Sequence, residues 1–257
     1  MSTRARAIAD WMKERVAAAG SRGIAVGLSG GIDSAVVISL AQIAAPGHVV
    51  GVMMPCHSDP LDEADARVTA HHFGIPAIRL DLGPTYDRLL ADLRVSIAEL
   101  PPELHPVMPD DPANPAARLP FANVKPRLRM TSLYFVANSL NYLVAGTGNR
   151  SELAIGYFTK YGDGGVDMLP IGRLLKSEVR TLARDLGVPA PILDKAPSAG
   201  LWLGQTDEGE MGFSYADLET YLESGAAAVA PELAARIGRL ERISDHKRAI
   251  APMPPER

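Results

Sequence analysis

A glycine-rich hexapeptide directly follows the first buried apolar run of the chain and is suited to bind an anion. The apolar run is 24–28, and the hexapeptide is Ser29-Gly30-Gly31-Ile32-Asp33-Ser34. Consecutive glycines let backbone N–H groups converge, and the start of the following helix adds partial positive charge, so phosphate groups can bind there. The Walker A and GxGxxG sequences are absent. A tight turn with a helix cap is the alternative, which the complete hexapeptide makes less attractive.

Asp33 is the unexpected member of this loop, because an uncompensated carboxylate repels a polyphosphate. A hard divalent cation such as Mg²⁺ bridges carboxylate and phosphate oxygens and removes that repulsion. We therefore expect Asp33 to be a metal ligand.

The hexapeptide resembles the SGGxDS signature of the ATP pyrophosphatase (PP-loop) family. This resemblance implies cleavage of ATP between its α and β phosphates and adenylation of a substrate oxygen. It leaves several enzymes open, among them other amidotransferases and tRNA-modifying adenylating enzymes. A non-catalytic ATP-binding module of the same fold is a further alternative, although such a module has no need of the distal charged residues described below.

Longer blocks elsewhere in the chain resemble the NAD⁺ synthetases, and the resemblance extends from Gly23 to Lys247. It implies a ligase that forms a C–N bond: the pyridine carboxylate of deamido-NAD (nicotinic acid adenine dinucleotide) attacks ATP to give an acyl adenylate and pyrophosphate, and ammonia then displaces AMP. Mg²⁺ is the implied cofactor. The blocks are Asn123 to Met130, Gly146 to Glu152, Gly156 to Asp167, Lys195 to Trp202 and Gly204 to Glu208.

The resemblance also implies roles for individual residues. The expected ATP-binding residues are Gly27, Leu28, Ser29, Gly30, Gly31, Ile32, Asp33, Ser34, Thr147, Lys176 and Ser198. The expected deamido-NAD-binding residues are Arg127, Lys160, Asp167, His246 and Lys247. The expected metal ligands are Asp33 and Glu152, and the expected catalytic residues are Asp33, Lys176 and Asp163, the last near ammonia, with Glu208 and Glu210 as acidic neighbours of unassigned role.

Simple electrostatics supports several of these roles, but each has a structural alternative. A fixed cation such as Lys176 stabilises a departing pyrophosphate, and a carboxylate such as Asp167 suits ribose hydroxyls. Lys176 could equally be a solvated side chain at the start of a helix, and Asp163 a routine turn residue. The run 246–248 could be a basic solvated tail.

The loop after the second strand departs from many NAD⁺ synthetases, which have arginine and glutamine there for the adenine. Here the segment 53–60 begins with two methionines, for which core packing is the preferred interpretation. The adjacent His71 and His72 point different ways on a predicted helix and are interpreted as structural. Cys56, the only cysteine, is interpreted as a small half-buried side chain.

Strands and helices alternate in the elements that position these residues. Strands are predicted at 24–28, 48–54, 77–82 and 142–146. Helices are predicted at 8–19, 34–45, 61–73 (with Asp59 as N-cap and Pro60 at its first position), 85–100, 123–138, 176–186, 215–222 and 232–243. This pattern predicts an α/β fold with a doubly wound, mostly parallel sheet and helices on both faces, a Rossmann-like three-layer sandwich, and the resemblance implies its adenine nucleotide alpha hydrolase-like form.

One domain, 1–257, is expected, with two irregular segments. Seven prolines between Pro101 and Pro120 argue against a helix or central strand there, which leaves a surface loop or a structured lid. A frayed tail is expected from about Arg248 onward.

Composition narrows the partners and the location. A formal net charge of −4 provides no broad basic field, so nucleic acid is not an expected partner. Neither a signal peptide nor an apolar run long enough for a membrane span is present, and one cysteine gives no sign of an oxidising compartment, so a cytoplasmic location is expected. The resemblance implies a homodimer. The 257 residues leave no room for a glutaminase domain, so free ammonia is the expected nitrogen donor, and a separate glutaminase chain remains an alternative.

Overall fold

A parallel sheet lies at the centre of the computed structural model, which describes residues 2–104, 115–198, 200, 202 and 205–254. The described strands are β1 (Gly23–Gly27), β2 (Val49–Met53), β3 (Ala77–Arg79) and β4 (Tyr142–Val144), in the order β3-β2-β1-β4. In β1, Ile24 is in register with Val49 of β2 and with Leu143 of β4. The chain therefore winds outward through β2 and β3 and then returns to the other side of β1. This reversal creates a crevice at the carboxyl ends of β1 and β4, where ligands bind in such folds.

Helices cover both faces of this sheet. They are α1 (Thr3–Ala18), α2 (Ile32–Ala44), α3 (Pro60–His72), α4 (Gly83–Ala98), α5 (Pro115–Leu140), α6 (Arg150–Ile155), α7 (Lys176–Asp185), α8 (Ala190–Leu193), α9 (Asp207–Met211), α10 (Tyr215–Ser224) and α11 (Pro231–Arg248), with 3₁₀ turns at Pro102–Leu104 and Ala226–Ala228.

The side chains of the strands explain the three layers. β1 and β2 are buried on both faces, so their apolar residues serve two cores. Ile24 and Val26 pack with α1, α2, α3 and α7 on one face, whereas Ala25 packs with α4 and α5 on the other. A third, smaller core around Leu218 and Ile237 joins α6, α10 and α11. The predicted doubly wound three-layer α/β fold is confirmed.

Most predicted elements are confirmed with small shifts of their ends. The third strand is shorter than predicted and ends at Arg79. The predicted helix start at Asp59 is confirmed in detail: the Asp59 carboxylate accepts the N–H of Leu61 at 2.9 Å, and Pro60 is the first helical residue. Three short helices, α6, α8 and α9, were not predicted, because each is too short to show a helical period.

One prediction about the irregular segments was wrong. A helix was considered implausible up to Pro120, but α5 begins at Pro115 and contains Pro120 and Pro126. Pro115 is the first residue of the helix, where proline is tolerated, and packing of Leu133 and Ala137 against the sheet outweighs the cost of the two interior prolines. The rest of the proline-rich segment, 105–114, lies outside the described residues.

The last helix was predicted to end at Ile243 but continues to Arg248. Its final turn docks on α6: the Arg248 guanidinium donates to the carbonyl oxygens of Leu153 and Ala154 at 2.9 and 3.0 Å. The predicted irregular tail follows, and its last three positions, 255–257, lie outside the described residues. None of the described helices is both long and apolar enough to cross a membrane.

Candidate active site

The predicted phosphate loop lies at the crevice between β1 and β4. Gly30 adopts a φ of +79°, and a Cβ atom there would lie 2.2 Å from the backbone oxygen of Asp62 in α3, so only glycine fits. The Ser34 hydroxyl donates to the Gly31 carbonyl at 2.9 Å, and the Ser29 hydroxyl accepts the N–H of Gly31 at 3.3 Å. The two serines thus stabilise the turn, and the first turn of α3 supports it from behind.

Three of the predicted site residues meet beside this loop. The Lys176 ammonium is 3% exposed, and it binds the Asp33 carboxylate and lies 3.5 Å from Glu152 Oε1. Asp33 belongs to the first turn of α2, Glu152 to α6 and Lys176 to the start of α7. The alternative of a solvated lysine is therefore wrong. We call Asp33, Glu152 and Lys176 the charged cluster.

Asn149 lies between the two carboxylates of this cluster and was not among the residues predicted from sequence. It is fully buried, its Oδ1 accepts the N–H of Glu152 at 3.0 Å, and its Nδ2 donates to Asp33 Oδ1 at 3.2 Å. Glu152 Oε2 accepts the Asn149 N–H at 3.2 Å, which completes a capping box at the start of α6. The Asn-x-x-Glu spacing was the available signal for the cap, but not for the contact with Asp33.

Burial and charge set the protonation of the cluster. Burial and then the charge of Asp33 raise the pKa of Glu152 to about 8, although Lys176 opposes this rise. Burial lowers the pKa of Lys176, but Asp33 and Glu152 outweigh it and hold that pKa above its usual value. Lys176 therefore stays charged, whereas Glu152 binds its proton more tightly than an ordinary glutamate does, and a further cation beside it would oppose this effect.

A buried tyrosine and aspartate extend the charged cluster away from the loop. The Tyr215 hydroxyl donates to Asp207 Oδ2 at 2.8 Å and lies 3.5 Å from Glu152 Oε1. Asp207 is 3% exposed, burial raises its pKa, and its Oδ1 has no hydrogen-bond partner among the described residues. Neither residue was given a role from the sequence. A buried carboxylate oxygen without a donor is costly, so this end of the network can accommodate a donor.

The carboxylates of the cluster suit a Mg²⁺ ion whose remaining ligands are phosphate oxygens and waters. Among the described residues, no group of three or more His, Cys, Asp or Glu side chains is placed to hold a metal ion. Mg²⁺ is commonly bound by one or two carboxylates together with waters and substrate phosphates. Asp33 and Glu152, next to the phosphate loop, supply a donor set of that kind.

The residues predicted for the dinucleotide also come together, away from the charged cluster. The Arg127 guanidinium donates to the Lys160 carbonyl at 3.4 Å, and the Lys160 ammonium in turn donates to the His246 carbonyl. The Lys247 ammonium donates to the carbonyls of Gly156 and Phe158, each at 2.7 Å. The basic run is therefore the docked last turn of α11, and its interpretation as a solvated tail is wrong.

Asp167 has both carboxylate oxygens engaged within the chain. Oδ1 accepts the Tyr134 hydroxyl at 2.9 Å, and Oδ2 accepts the N–H of Val144 at 2.8 Å. The side chain therefore ties the block after β4 to the sheet, and it is also exposed, so a ligand can reach it.

The remaining predicted residues are more peripheral. Asp163 is exposed and accepts the N–H of Thr159 at 2.9 Å, as a turn residue does, and Ser198 is exposed and accepts the N–H of Gly200 at 3.1 Å. Thr147 lies in the loop between β4 and α6. Both acidic neighbours are held locally: Glu208 accepts the N–H of Tyr215 at 2.9 Å, and Glu210 accepts the hydroxyl of Tyr157 and the amide of Gln205, both at 2.7 Å.

The loop after β2 is fixed by a half-buried cation. Arg129 of α5 donates to the Met54 carbonyl and to the Ser58 hydroxyl, both at 3.0 Å. Met53 and Met54 are buried, so their predicted role in core packing is confirmed, and Cys56 is fully buried, which raises the pKa of its thiol. A cavity of about 420 Å³ opens beside this loop, lined by Pro55, His57, Ser58, Asp59, Pro60, Glu63, Arg79, Asp81, Gly83, Pro84 and Asp87.

Known proteins resemble this chain over nearly its whole length. The family model described as NAD synthase matches residues 4–251. The NH(3)-dependent NAD(+) synthetase of Carboxydothermus hydrogenoformans is 49% identical over 247 residues, which cover 96% of this chain and 95% of that protein. Among solved structures, the NMN synthetase from Francisella tularensis has a TM-score of 0.86 at 34% identity and covers 99% of both chains. The NH3-dependent NAD synthetase from Campylobacter jejuni has a TM-score of 0.76 at 26% identity and covers 99% of this chain and all of that one.

Asn149 gives a direct test of how the charged cluster is held. Replacing Asn149 by alanine removes both the cap of α6 and the hydrogen bond to Asp33, so we expect a loss of about 2 kcal/mol in the free energy of unfolding. Ser214→Ala is the matched control, because Ser214 caps α10 in the same way but at a half-buried position, where about 1 kcal/mol is expected. Urea denaturation measures both losses. Equal losses in the two variants would show that the contact with Asp33 contributes nothing.

Proposed function

The chain belongs to the NAD synthase family, and from that premise we propose that it is an ammonia-dependent NAD⁺ synthetase. It is a ligase that forms the amide of NAD⁺ from deamido-NAD and ammonia, with conversion of ATP to AMP and pyrophosphate. The observation that carries this proposal is the charged cluster beside the phosphate loop, in a chain of which 96% matches an ammonia-dependent relative.

The first half of the reaction activates the carboxylate. An oxygen of the pyridine carboxylate forms a bond to the α phosphorus of ATP, while the bond from that phosphorus to the pyrophosphate oxygen breaks. The phosphate loop orients the triphosphate, and the fixed charge of Lys176 stabilises the negative charge that collects on the pyrophosphate. Bound by Asp33 and Glu152, Mg²⁺ would neutralise further phosphate charge.

The second half forms the amide. Ammonia attacks the acyl carbon, the bond to the AMP oxygen breaks, and the nitrogen releases one proton. We assign that proton to the carboxylate of Asp163, which stands exposed in the glycine-rich turn and is fixed by the N–H of Thr159.

The dinucleotide is assigned to the basic group around Arg127 and Lys160. Arg127 is exposed, and two cations suit the pyrophosphate of deamido-NAD. Lys247 already donates to two carbonyls, so in this proposal it shapes the segment 156–160 on which the substrate rests. His246 is exposed at the same place, and Asp167 is assigned to ribose hydroxyls. ATP is a cytoplasmic metabolite, and we propose that the enzyme works in the cytoplasm.

A homodimer forms part of the proposal, and apolar side chains exposed on two neighbouring helices support it. Leu89 and Leu93 are exposed one turn apart on α4, and Phe135 of α5 is 75% exposed. Exposed apolar groups of this size on adjacent helices are typical of contact surfaces. Arg127 lies on the same helix as Phe135, so a partner on this face would lie near the proposed dinucleotide site.

A second candidate, amidation of nicotinic acid mononucleotide, is favoured by one observation. The Francisella tularensis structure, described as an NMN synthetase, has a higher TM-score than the Campylobacter jejuni enzyme, 0.86 against 0.76. The chemistry at the carboxylate is the same, so the two candidates differ only in whether the adenylate half of the substrate is recognised.

A single assay distinguishes these candidates. With ATP, Mg²⁺ and ammonium, we expect AMP and NAD⁺ from deamido-NAD, with a kcat/KM at least about tenfold above that for nicotinic acid mononucleotide, because binding of the adenylate half contributes to it. Asp33→Asn should abolish turnover of either substrate. The reverse preference would establish the second candidate, and no AMP from either substrate would reject both.

The role of Asp163 predicts an unequal effect on the two half-reactions. Asp163→Asn should lower amide formation by about a hundredfold, since a general base is lost, while pyrophosphate release stays near its original rate. Parallel measurement of pyrophosphate and NAD⁺ tests this. An equal loss of both products would show that Asp163 only supports the turn.

Phe135 tests the dimer. Phe135→Asp places a charge in the proposed contact, so we expect sedimentation equilibrium to give a dimer of about 55 kDa, twice the chain mass of 27.4 kDa, for the original chain and a monomer for the variant. Leu61→Asp, at an apolar side chain exposed on α3, is the control and should leave the dimer unchanged. A monomer in the original chain would contradict the proposal.

A further inference from the structure

An ion triad outside the charged cluster joins two segments that are distant in sequence. The Lys195 ammonium donates to Asp62 Oδ1 at 2.8 Å and to Asp65 Oδ2 at 2.5 Å. Asp62 and Asp65 are three residues apart on α3, so they share one face of the helix. All three side chains are between 22% and 28% exposed, which places the triad in a partly desolvated environment where ion pairs are less screened than at a free surface.

The triad lies directly behind the phosphate loop. Gly30 approaches the backbone oxygen of Asp62 so closely that no side chain fits at Gly30. On the other side of Asp62, a Cβ atom on Gly200 would lie 3.4 Å from Asp62 Oδ2. Asp62 thus contacts the phosphate loop through its backbone, and Lys195 and Gly200 through its side chain.

The segment that begins with Lys195 also reaches the buried acid network. The carbonyl of Pro197 accepts the N–H of Asp207 at 3.1 Å, and the Asp207 carboxylate accepts the Tyr215 hydroxyl next to Glu152. Ser198, one of the expected ATP-binding residues, follows Pro197. A displacement of this segment would therefore change the support of the phosphate loop, the position of Ser198 and the start of α9 together.

We propose that Lys195 is a positioning residue for ATP: its bonds to Asp62 and Asp65 fix the segment 195–198 against the back of the phosphate loop. It touches neither substrate nor the reacting atoms. The proposal rests on the assignment of ATP to this loop, and it places the effect of Lys195 on nucleotide binding and on the adenylation step, while the ammonia step is independent of it.

A surface ion pair on the same helix provides the matched control. Arg67 donates to Glu63 Oε1 at 2.7 Å, one turn along α3, and its side chain is 55% exposed. Lys195→Gln and Arg67→Gln each remove one cation that pairs with carboxylates of α3, but only the first releases the segment 195–198. A role of Lys195 in general stability alone would give similar nucleotide binding in the two variants.

Tryptophan fluorescence reports on this segment directly. The chain has two tryptophans, Trp11 on α1 and Trp202 shortly after the segment 195–198, so a Trp11→Phe background leaves Trp202 as the only indole. In that background, titration with ATP and Mg²⁺ should show a Kd about tenfold higher for Lys195→Gln, whereas Lys195→Arg and Arg67→Gln should stay within about twofold. The KM for ammonium should not change in any variant.

The outcomes separate this proposal from the proposed function. Unchanged ATP affinity in Lys195→Gln, or an equal loss in Arg67→Gln, would overturn the positioning role even if NAD⁺ is formed normally. A tenfold loss of ATP affinity would support it even if the amide product proves to be another compound. If Lys195→Gln does not fold, Asp65→Asn, which keeps the bond to Asp62, should raise the Kd for ATP by about threefold, and no change in that variant would overturn the proposal.

Discussion

The site depends on one buried ammonium group, that of Lys176, which is held between the carboxylates of Asp33 and Glu152. A buried charge is strongly destabilising unless it is paired and hydrogen-bonded. The partners lie 143 and 24 residues away in the sequence, so only the tertiary fold brings them together. The reversal of strand order at β1 does this, because it places the ends of β1 and β4 side by side. Any change that separates these two strand ends would leave Lys176 buried without a counter-charge.

Three helices begin at this point, and their N-termini explain why the cluster contains carboxylates. Asp33 lies in the first turn of α2, Glu152 in the first turn of α6, and Lys176 is the first residue of α7. Helix N-termini favour negative charge, so Asp33 and Glu152 are well placed there, as phosphates would be. The same field disfavours Lys176, which is retained because two carboxylates face it. The carboxylates of Asp33 and Glu152 thus hold Lys176 in place. Under the proposed function, a phosphate group would compete with these carboxylates for its ammonium.

The parts of this site that depend on residues close together in the sequence could be predicted from the sequence alone. The phosphate loop follows a recognisable strand, and Asp59 and Pro60 mark the start of α3 by side-chain chemistry alone. Resemblance identified Asp33, Glu152 and Lys176, but not that Lys176 is buried. Asn149, Tyr215 and Lys195 went unnoticed because their roles depend on contacts across the fold, for which a single sequence has no period or spacing. The prediction from proline content was wrong at the start of α5, because tertiary packing outweighed local helix propensity there.

Under the proposed function, the charges around the cluster also bear on which form of the nucleotide would bind. Asp33, Glu152 and Asp207 carry three carboxyl groups against the single ammonium of Lys176. Burial raises the pKa of Glu152 to about 8, so a proton removes part of the excess negative charge while no other cation is present. A free triphosphate would meet a site that is already negative, whereas a nucleotide that arrives with its own divalent cation supplies the missing positive charge and displaces that proton. Under the proposed function, the same carboxylates that fix Lys176 in place would therefore favour the metal complex of ATP over the free nucleotide.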